Sequence, residues 1–313
     1  MKLETKSGET KIEMSGIGRF GLCCMWDNDR TYPTRNITFK SYKKAGSNGP
    51  NKLGEVALHN ARMARKMIGL CSLRGWNYRI SQTVLPLLSM PGLGINPTDL
   101  PQWEQILNEF KMIAAERGLV RLSMHPAMFC IPGSANPRTV QSALKELELS
   151  ALILDLCGAP RSYDAPINIH MGCSTGGLYD TFSRFKSAIA STSEAVRSRL
   201  VLENDDKGKW TTHVMREIGW SGPITFDFHH HFCNPGEHSE IQAFHLAAAT
   251  WGGYRPLFHY SESAIAHPNR RAHSEMPTVR ANDYGVRFDL DIELKGKSKA
   301  IECYESLALN KGK

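Results

Sequence analysis

Apolar positions along this 313-residue chain change period repeatedly. Eight short runs rich in β-branched and aromatic residues read as strands: Ile17–Cys24, Asn77–Ser81, Leu119–His125, Pro166–Met171, Arg199–Asn204, Ile224–His229, Pro256–Ser261 and Val286–Leu294. Longer stretches between them carry the three-to-four spacing of helices: Gly54–Leu73, Pro101–Arg117, Pro137–Cys157, Leu178–Val196, Thr211–Ile218 and Glu240–Ala249. In the third, Val140, Leu144, Leu147, Ala151 and Leu154 fall on one helix face. Asn136 is its expected cap, Pro137 suits the first turn, and Gly158 supplies the stop.

Alternating β and α units imply parallel strands joined by right-handed crossovers. Eight strands over this length match an α/β fold of the (β/α)8 TIM-barrel type. A doubly wound sheet binding a dinucleotide would carry a Gly-rich turn after its first strand, where this chain has Met25-Trp26-Asp27-Asn28. The expected organisation is a polar extension over 1–16, one catalytic barrel over 17–308, and a polar tail over 309–313. The loops Asn28–Pro50 and Ala266–Asp283 are long and polar, but neither reads as a domain linker.

Composition narrows the class. Hydrophobic residues at 41% and charged residues at 22% are those of a globular protein and exclude wholesale disorder. No run reaches the roughly eighteen apolar residues of a membrane span, so no membrane partner is expected. The first residues lack the apolar core of a secretion signal. None of the eight cysteines forms a Cys-x-x-Cys pair; they read as reduced thiols of a cytoplasmic protein, nucleoid-associated if the source is prokaryotic. The net charge of +7 leans toward an anionic partner, and no nucleotide cofactor is expected.

The chemistry lies where the strands end. His125 closes the third run, His170 the fourth and Glu203 the fifth; Asp227 and a His triplet close the sixth, His259 the seventh and Glu293 the eighth. In a barrel these carboxyl ends meet at one face, where active sites are built. A lone histidine or glutamate at a strand end is ordinarily a hydrogen-bonded or solvated residue. Six consecutive strands ending in such residues are not explained that way, and imidazole with carboxylate suits Zn or Mn. Within the triplet, a continuing strand would put His229 and His231 on the side of Asp227, whereas a strand ending near Phe228 would present His230. His59, His213 and His245 fall in helical segments and read as structural, while spacing leaves His273 open.

With these residues assembled, the chain resembles the UV damage endonuclease family, relatives of endonuclease IV. The resemblance runs from about Gly18 to Lys297. It rests on Tyr78-Arg79-Ile80-Ser81, Leu122-Ser123-Met124-His125-Pro126, Ile169-His170-Met171-Gly172, Leu202-Glu203-Asn204-Asp205, Asp227 through Gly236, His259-Tyr260-Ser261 and Glu293-Leu294-Lys295-Gly296-Lys297. It implies metal-dependent incision of double-stranded DNA 5′ to a distorting lesion. It implies metal ligands at His125, His170, Glu203, Asp227, His230, His259, His273 and Glu293, with Glu203, Asp227 and Glu293 catalytic. The expected arrangement is one ion on His125, His170 and Glu203, and a second on Glu203, Asp227, His259 and Glu293. A third would rest on His230 and His273, giving two or three ions, Mn before Zn, in a monomer.

The chain also departs from that pattern. The usual Gly-Gln-aromatic tripeptide that probes the lesion is Ala127-Met128-Phe129; a tyrosine at the first-strand tip is replaced within Leu22-Cys23-Cys24; a histidine is replaced by Met90 and a lysine by Leu257. Candidate DNA contacts are Trp26, Met128, Phe129, Arg270, Arg271, Lys295 and Lys297. The competing functions are a metal-dependent sugar isomerase or epimerase on the same barrel, and a non-catalytic DNA-binding relative.

Overall fold

The computed structural model describes residues 16–27 and 31–309. Gly16 apart, the expected N-terminal extension lies outside these residues, as do residues 28–30 and the tail beyond Leu309.

The strands are β1 (Gly16–Cys23), β2 (Asn77–Ile80), β3 (Leu122–Met124), β4 (Ile167–Ile169), β5 (Leu200–Glu203), β6 (Ile224–Thr225), β7 (Leu257–Tyr260) and β8 (Arg287–Ile292). They form one parallel sheet in which β1 pairs with both β2 and β8. The circle closes between β6 and β7 through a single bridge, Asp227 to His259. There the His259 amide donates to the Phe226 carbonyl at 3.1 Å, and the Thr225 hydroxyl to the Leu257 carbonyl at 2.9 Å. The molecule is an eight-stranded parallel barrel.

The helices are α1 (Phe39–Lys44), α2 (Gly49–Arg74), α3 (Trp103–Glu116), α4 (Pro137–Leu156), α5 (Leu178–Ala190), α6 (Glu194–Arg197), α7 (Thr212–Glu217), α8 (Phe228–Cys233), α9 (Glu240–Ala249) and α10 (Ser298–Leu309). Asn136 caps α4 through the Arg138 amide, as the pattern predicts. The expected helix Leu178–Val196 is instead two. The Thr192 hydroxyl turns back onto the Ile189 carbonyl, and Ser193 caps a new helix through the Val196 amide. The sixth strand stops at Thr225, well short of the expected His229, because Asp227 caps α8. No helix follows β7; residues 261–286 form a loop. Among the described residues no helix is long and apolar enough to cross a membrane.

Strand alternation separates two layers. In β2, Tyr78 and Ile80 join the apolar core, and the Tyr78 hydroxyl contacts Met67 on α2. Asn77 and Arg79 face the barrel interior, where they meet Asp289 and Glu293. The interior is polar, and β1 makes room for it with glycine. A Cβ on Gly18 would sit 2.7 Å from an Asp289 oxygen, and one on Gly21 would overlap an Asp291 oxygen. At the foot of β5, Arg199 is fully buried, donating to the carbonyls of Ala159 and Pro160 at 2.8 and 2.9 Å and pairing with Asp155 at 2.7 Å.

Glu146 of α4 is 5% exposed, and burial raises its carboxyl above the ordinary range, with a Ser89 hydrogen bond acting the other way. A carboxyl raised in the folded state binds its proton more tightly there than in the unfolded chain. Stability is therefore lost as pH rises from the unfolded value through the folded one. Glu146→Gln is expected to raise the thermal midpoint at pH 7 and to leave it nearly unchanged at pH 3. Equal midpoints at pH 7 would contradict this.

Candidate metal centre

Most candidate ligands sit at or near a strand end, and His273 lies in the loop after β7. His125 follows β3, His170 follows β4 and Glu293 follows β8; Glu203 ends β5, and His259 lies within β7. Asp227 is the cap of α8, accepting the His230 amide at 2.6 Å. That cap orients the triplet. His230 turns toward Glu203, while His231 packs on Phe226 and His229 lies against Phe232. Burial lowers the imidazoles of His229 and His231, as befits neutral packing groups.

Glu203 is the centre of the array and fully buried. His125 Nε2 lies 3.0 Å from its Oε2, His259 Nδ1 3.1 Å from Oε2, His230 Nδ1 3.1 Å from Oε1 and His170 Nε2 3.7 Å from Oε1. The Asn168 amide closes on Oε2 as well. Burial alone pushes the Glu203 carboxyl up, but the imidazoles, His259 foremost, reverse this and hold it well below the ordinary range. His259 responds in kind. Burial pulls its imidazole down, and Glu203 and then Glu293 push it to about 10. Burial raises Asp227, against the pull of His230. For Glu293 burial also raises the carboxyl, but Arg79 and His259 carry it well below the usual value.

Two ligand groups result, His125–His170–Glu203 and Glu203–Asp227–His259–Glu293, with donor atoms within 4.8 Å of one another. These are the two groupings expected from the strand order, sharing Glu203. The donor set fits divalent cations. Glu203 Oε1, Asp227 Oδ2 and His259 Nδ1 are buried without an aligned hydrogen bond, which is costly unless another partner takes them up. Surrounding groups aim the rings. His170 Nδ1 meets Asp205 at 2.8 Å, leaving Nε2 for the centre. His230 Nδ1 meets the Asn204 carbonyl at 2.9 Å, and His273 Nδ1 the Glu293 carbonyl at 2.9 Å. His273 belongs to neither group and stands edge-on to His229, 5.3 Å between ring centroids. Leu257 is buried in β7. Strand-end reasoning missed Asn168, Asp205 and Arg79, because nothing in their spacing signals a partner on another strand.

The candidate DNA contacts divide. Met128 and Phe129, on the loop after His125, are 85% and 63% exposed. Arg270 lies over the exposed ring of Phe232 at 4.5 Å, and Arg271 pairs with Asp206. Lys295 is exposed and Lys297 half-buried. Trp26 is engaged in packing against Trp76 and Tyr32, and Leu22 is buried.

A family model described as UV-endonuclease UvdE matches residues 18–311. The UV-damage endonuclease of Neurospora crassa is 32% identical over 297 residues, which are 88% of this chain and 44% of the fungal protein, so the chain spans less than half of that relative. The UV DNA damage endonuclease of Nostoc sp. is 29% identical over 293 residues, 90% of this chain and 87% of its own length. Among solved structures, SacUVDE superimposes with a TM-score of 0.74 at 23% identity, covering 94% of this chain and 99% of that one. Endonuclease IV from Thermus thermophilus does so at 0.51 and 12% identity, covering 94% and 100%. These two likenesses establish the barrel fold.

Proposed function

The chain belongs to the UV-endonuclease UvdE family, and on that footing we propose that it is a metal-dependent DNA-repair endonuclease, acting as a monomer, that nicks double-stranded DNA 5′ to UV photoproducts or other distorting lesions. The observation that carries the reading is Glu203, fully buried and common to both ligand groups. His125, His170 and Glu203 would hold one cation, and Glu203, Asp227, His259 and Glu293 a second. His230 and His273, each with Nδ1 tied to a backbone carbonyl, would offer Nε2 to a third. When bound, clustered divalent ions, Mn before Zn, supply an activated water and charge neutralisation for phosphodiester hydrolysis. The protein's own part is to hold Glu203 and Glu293 ionised in a buried pocket, to place the Asp227 carboxyl beside them, and to keep the rings aimed by Asp205 and the two carbonyls. Arg270, Arg271, Lys295 and Lys297 would meet the DNA backbone, with Met128 and Phe129 wedging at the lesion. The test is conversion of UV-irradiated supercoiled plasmid to nicked circles with added Mn²⁺, with unirradiated plasmid and chelator as controls. Irradiation-dependent nicking is expected; its absence in metal-replete protein refutes the proposal.

Two further results are expected of DNA binding. If the basic loops neutralise phosphates, log K for duplex DNA should fall by about 0.9 per phosphate contacted for each unit of log salt; a flat salt response would count against a nucleic-acid substrate. The second concerns the lesion. Met128 carries no amide and Leu22 is buried, so directional hydrogen bonds at these positions are lost and discrimination rests on wedging into a duplex that bends easily. Oligonucleotides with single defined lesions should show abasic sites cut at rates comparable to UV photoproducts. Exclusive cutting of photoproducts would show that other side chains read the damage.

A further inference from the structure

Among the groups packed around Glu293 and His259 are two charged side chains that none of the ligand roles uses. Arg79 is 6% exposed; its Nη1 donates to Glu293 Oε1 at 2.6 Å, and its Nε lies 3.9 Å from Asp291 Oδ2. Asp291 is 1% exposed, and among the described residues neither of its carboxylate oxygens has a hydrogen-bond partner. The same Oδ2 lies 3.9 Å from His259 Nε2. Space for this carboxylate is built into the fold, since any side chain at Gly21 would collide with it. A buried carboxylate without hydrogen bonds is unfavourable unless its charge is compensated nearby.

We propose that Asp291 is a positioning residue for the metal centre: it offsets Arg79, so that Glu293 remains available to a divalent cation, and it holds His259 with Nδ1 facing Glu203 and Glu293. Glu293 Oε1 is contacted by the Arg79 guanidinium at 2.6 Å and by His259 Nδ1 at 3.1 Å. With Glu293 as its only anionic neighbour, Arg79 would cancel the charge that a cation needs. With Asp291 present, the guanidinium is shared between two carboxyl groups instead of facing Glu293 alone. Asp291 also favours the His259 tautomer protonated on Nε2, which frees the Nδ1 lone pair. The inference rests on the metal-centre reading but not on the identity of the substrate.

The test is a Mn²⁺ titration of the full chain followed by the electron paramagnetic resonance of free Mn²⁺, which counts sites and affinities without DNA. Asp291→Asn keeps the shape and removes the charge. It is expected to weaken one class of site by about tenfold or more while sparing another, as loss of an outer partner does. Asp291→Asn combined with Arg79→Gln should recover most of that loss, which a merely structural role for Asp291 would not allow. Arg79→Gln alone should bind Mn²⁺ more tightly than the parent, so the idea remains testable if Asp291→Asn does not fold. Parental affinity in Asp291→Asn, a double variant no better than the single, or weaker binding by Arg79→Gln would overturn it. A protein that shows the expected Mn²⁺ pattern yet leaves irradiated plasmid intact would sink the endonuclease reading and support this one.

Discussion

Glu203→Gln is expected to leave a folded barrel whose nicking activity is down by about a thousandfold or more, a loss of about 4 kcal/mol of transition-state stabilisation. Among the described residues, Glu203 is the one anion within 3.7 Å of all four of His125, His170, His230 and His259. Glutamine matches its volume and can keep the Asn168 contact, so no cavity opens and the apolar core is untouched. What disappears is the charge common to both ligand groups. Metal analysis after metal-replete purification should therefore find fewer ions in the variant than in the parent, which is expected to hold at least one on each of the two groups. Near-normal nicking by Glu203→Gln with parental metal content would remove Glu203 from the centre of the mechanism.

The second large effect is on stability. Arg199→Met should destabilise the fold by about 3–5 kcal/mol, the typical result of removing one partner of a buried ion pair. Arg199 is fully buried and reaches the carbonyls of Ala151, Ala159, Pro160 and Ala195 as well as Asp155. Methionine fills much of the stem volume but donates nothing, leaving those carbonyls short of a partner in a region closed to water. Asp155 keeps Arg161 at 2.8 Å and is 26% exposed, so its charge is not stranded and the effect belongs to the lower part of that range. Urea denaturation followed by circular dichroism measures it. A loss below about 1 kcal/mol would mean that the site relaxes around the missing guanidinium.

The candidate ligand array was legible because the barrel converts sequence order into geometry: every strand end faces the same mouth, so His125, His170, Glu203, Asp227, His259 and Glu293 were readable as candidates once the strands were located. Choosing His230 within the triplet was harder. A short buried strand and a short helix share the same apolar-and-histidine composition, and the distinguishing mark is an aspartate three residues before His230, in capping position. The break between α5 and α6 was likewise written in Thr192 and Ser193 and overlooked in favour of continuous periodicity. α10 was missed although Ala300, Ile301 and Tyr304 have helical spacing and are buried. Arg79 and Asp291 were beyond reach. Their neighbours come from other strands, and only the register of β2, β1 and β8 shows that they meet.

The closure of the barrel between β6 and β7 has a consequence for how the protein opens. This junction has one backbone bridge, and its two residues, Asp227 and His259, belong to the same ligand group. A cation held by both, as proposed, would act as a clasp across this thin join in the wall. Occupancy would then add its binding free energy to that join, and local unfolding of the two strands would be coupled to release of the ion. The amide of His259, which donates to Phe226 across the junction, becomes a natural reporter, its deuterium uptake slowing as the clasp is filled. The same few atoms would thus serve as hinge pin and as ligand, and the loaded protein would be the one whose wall is fastened.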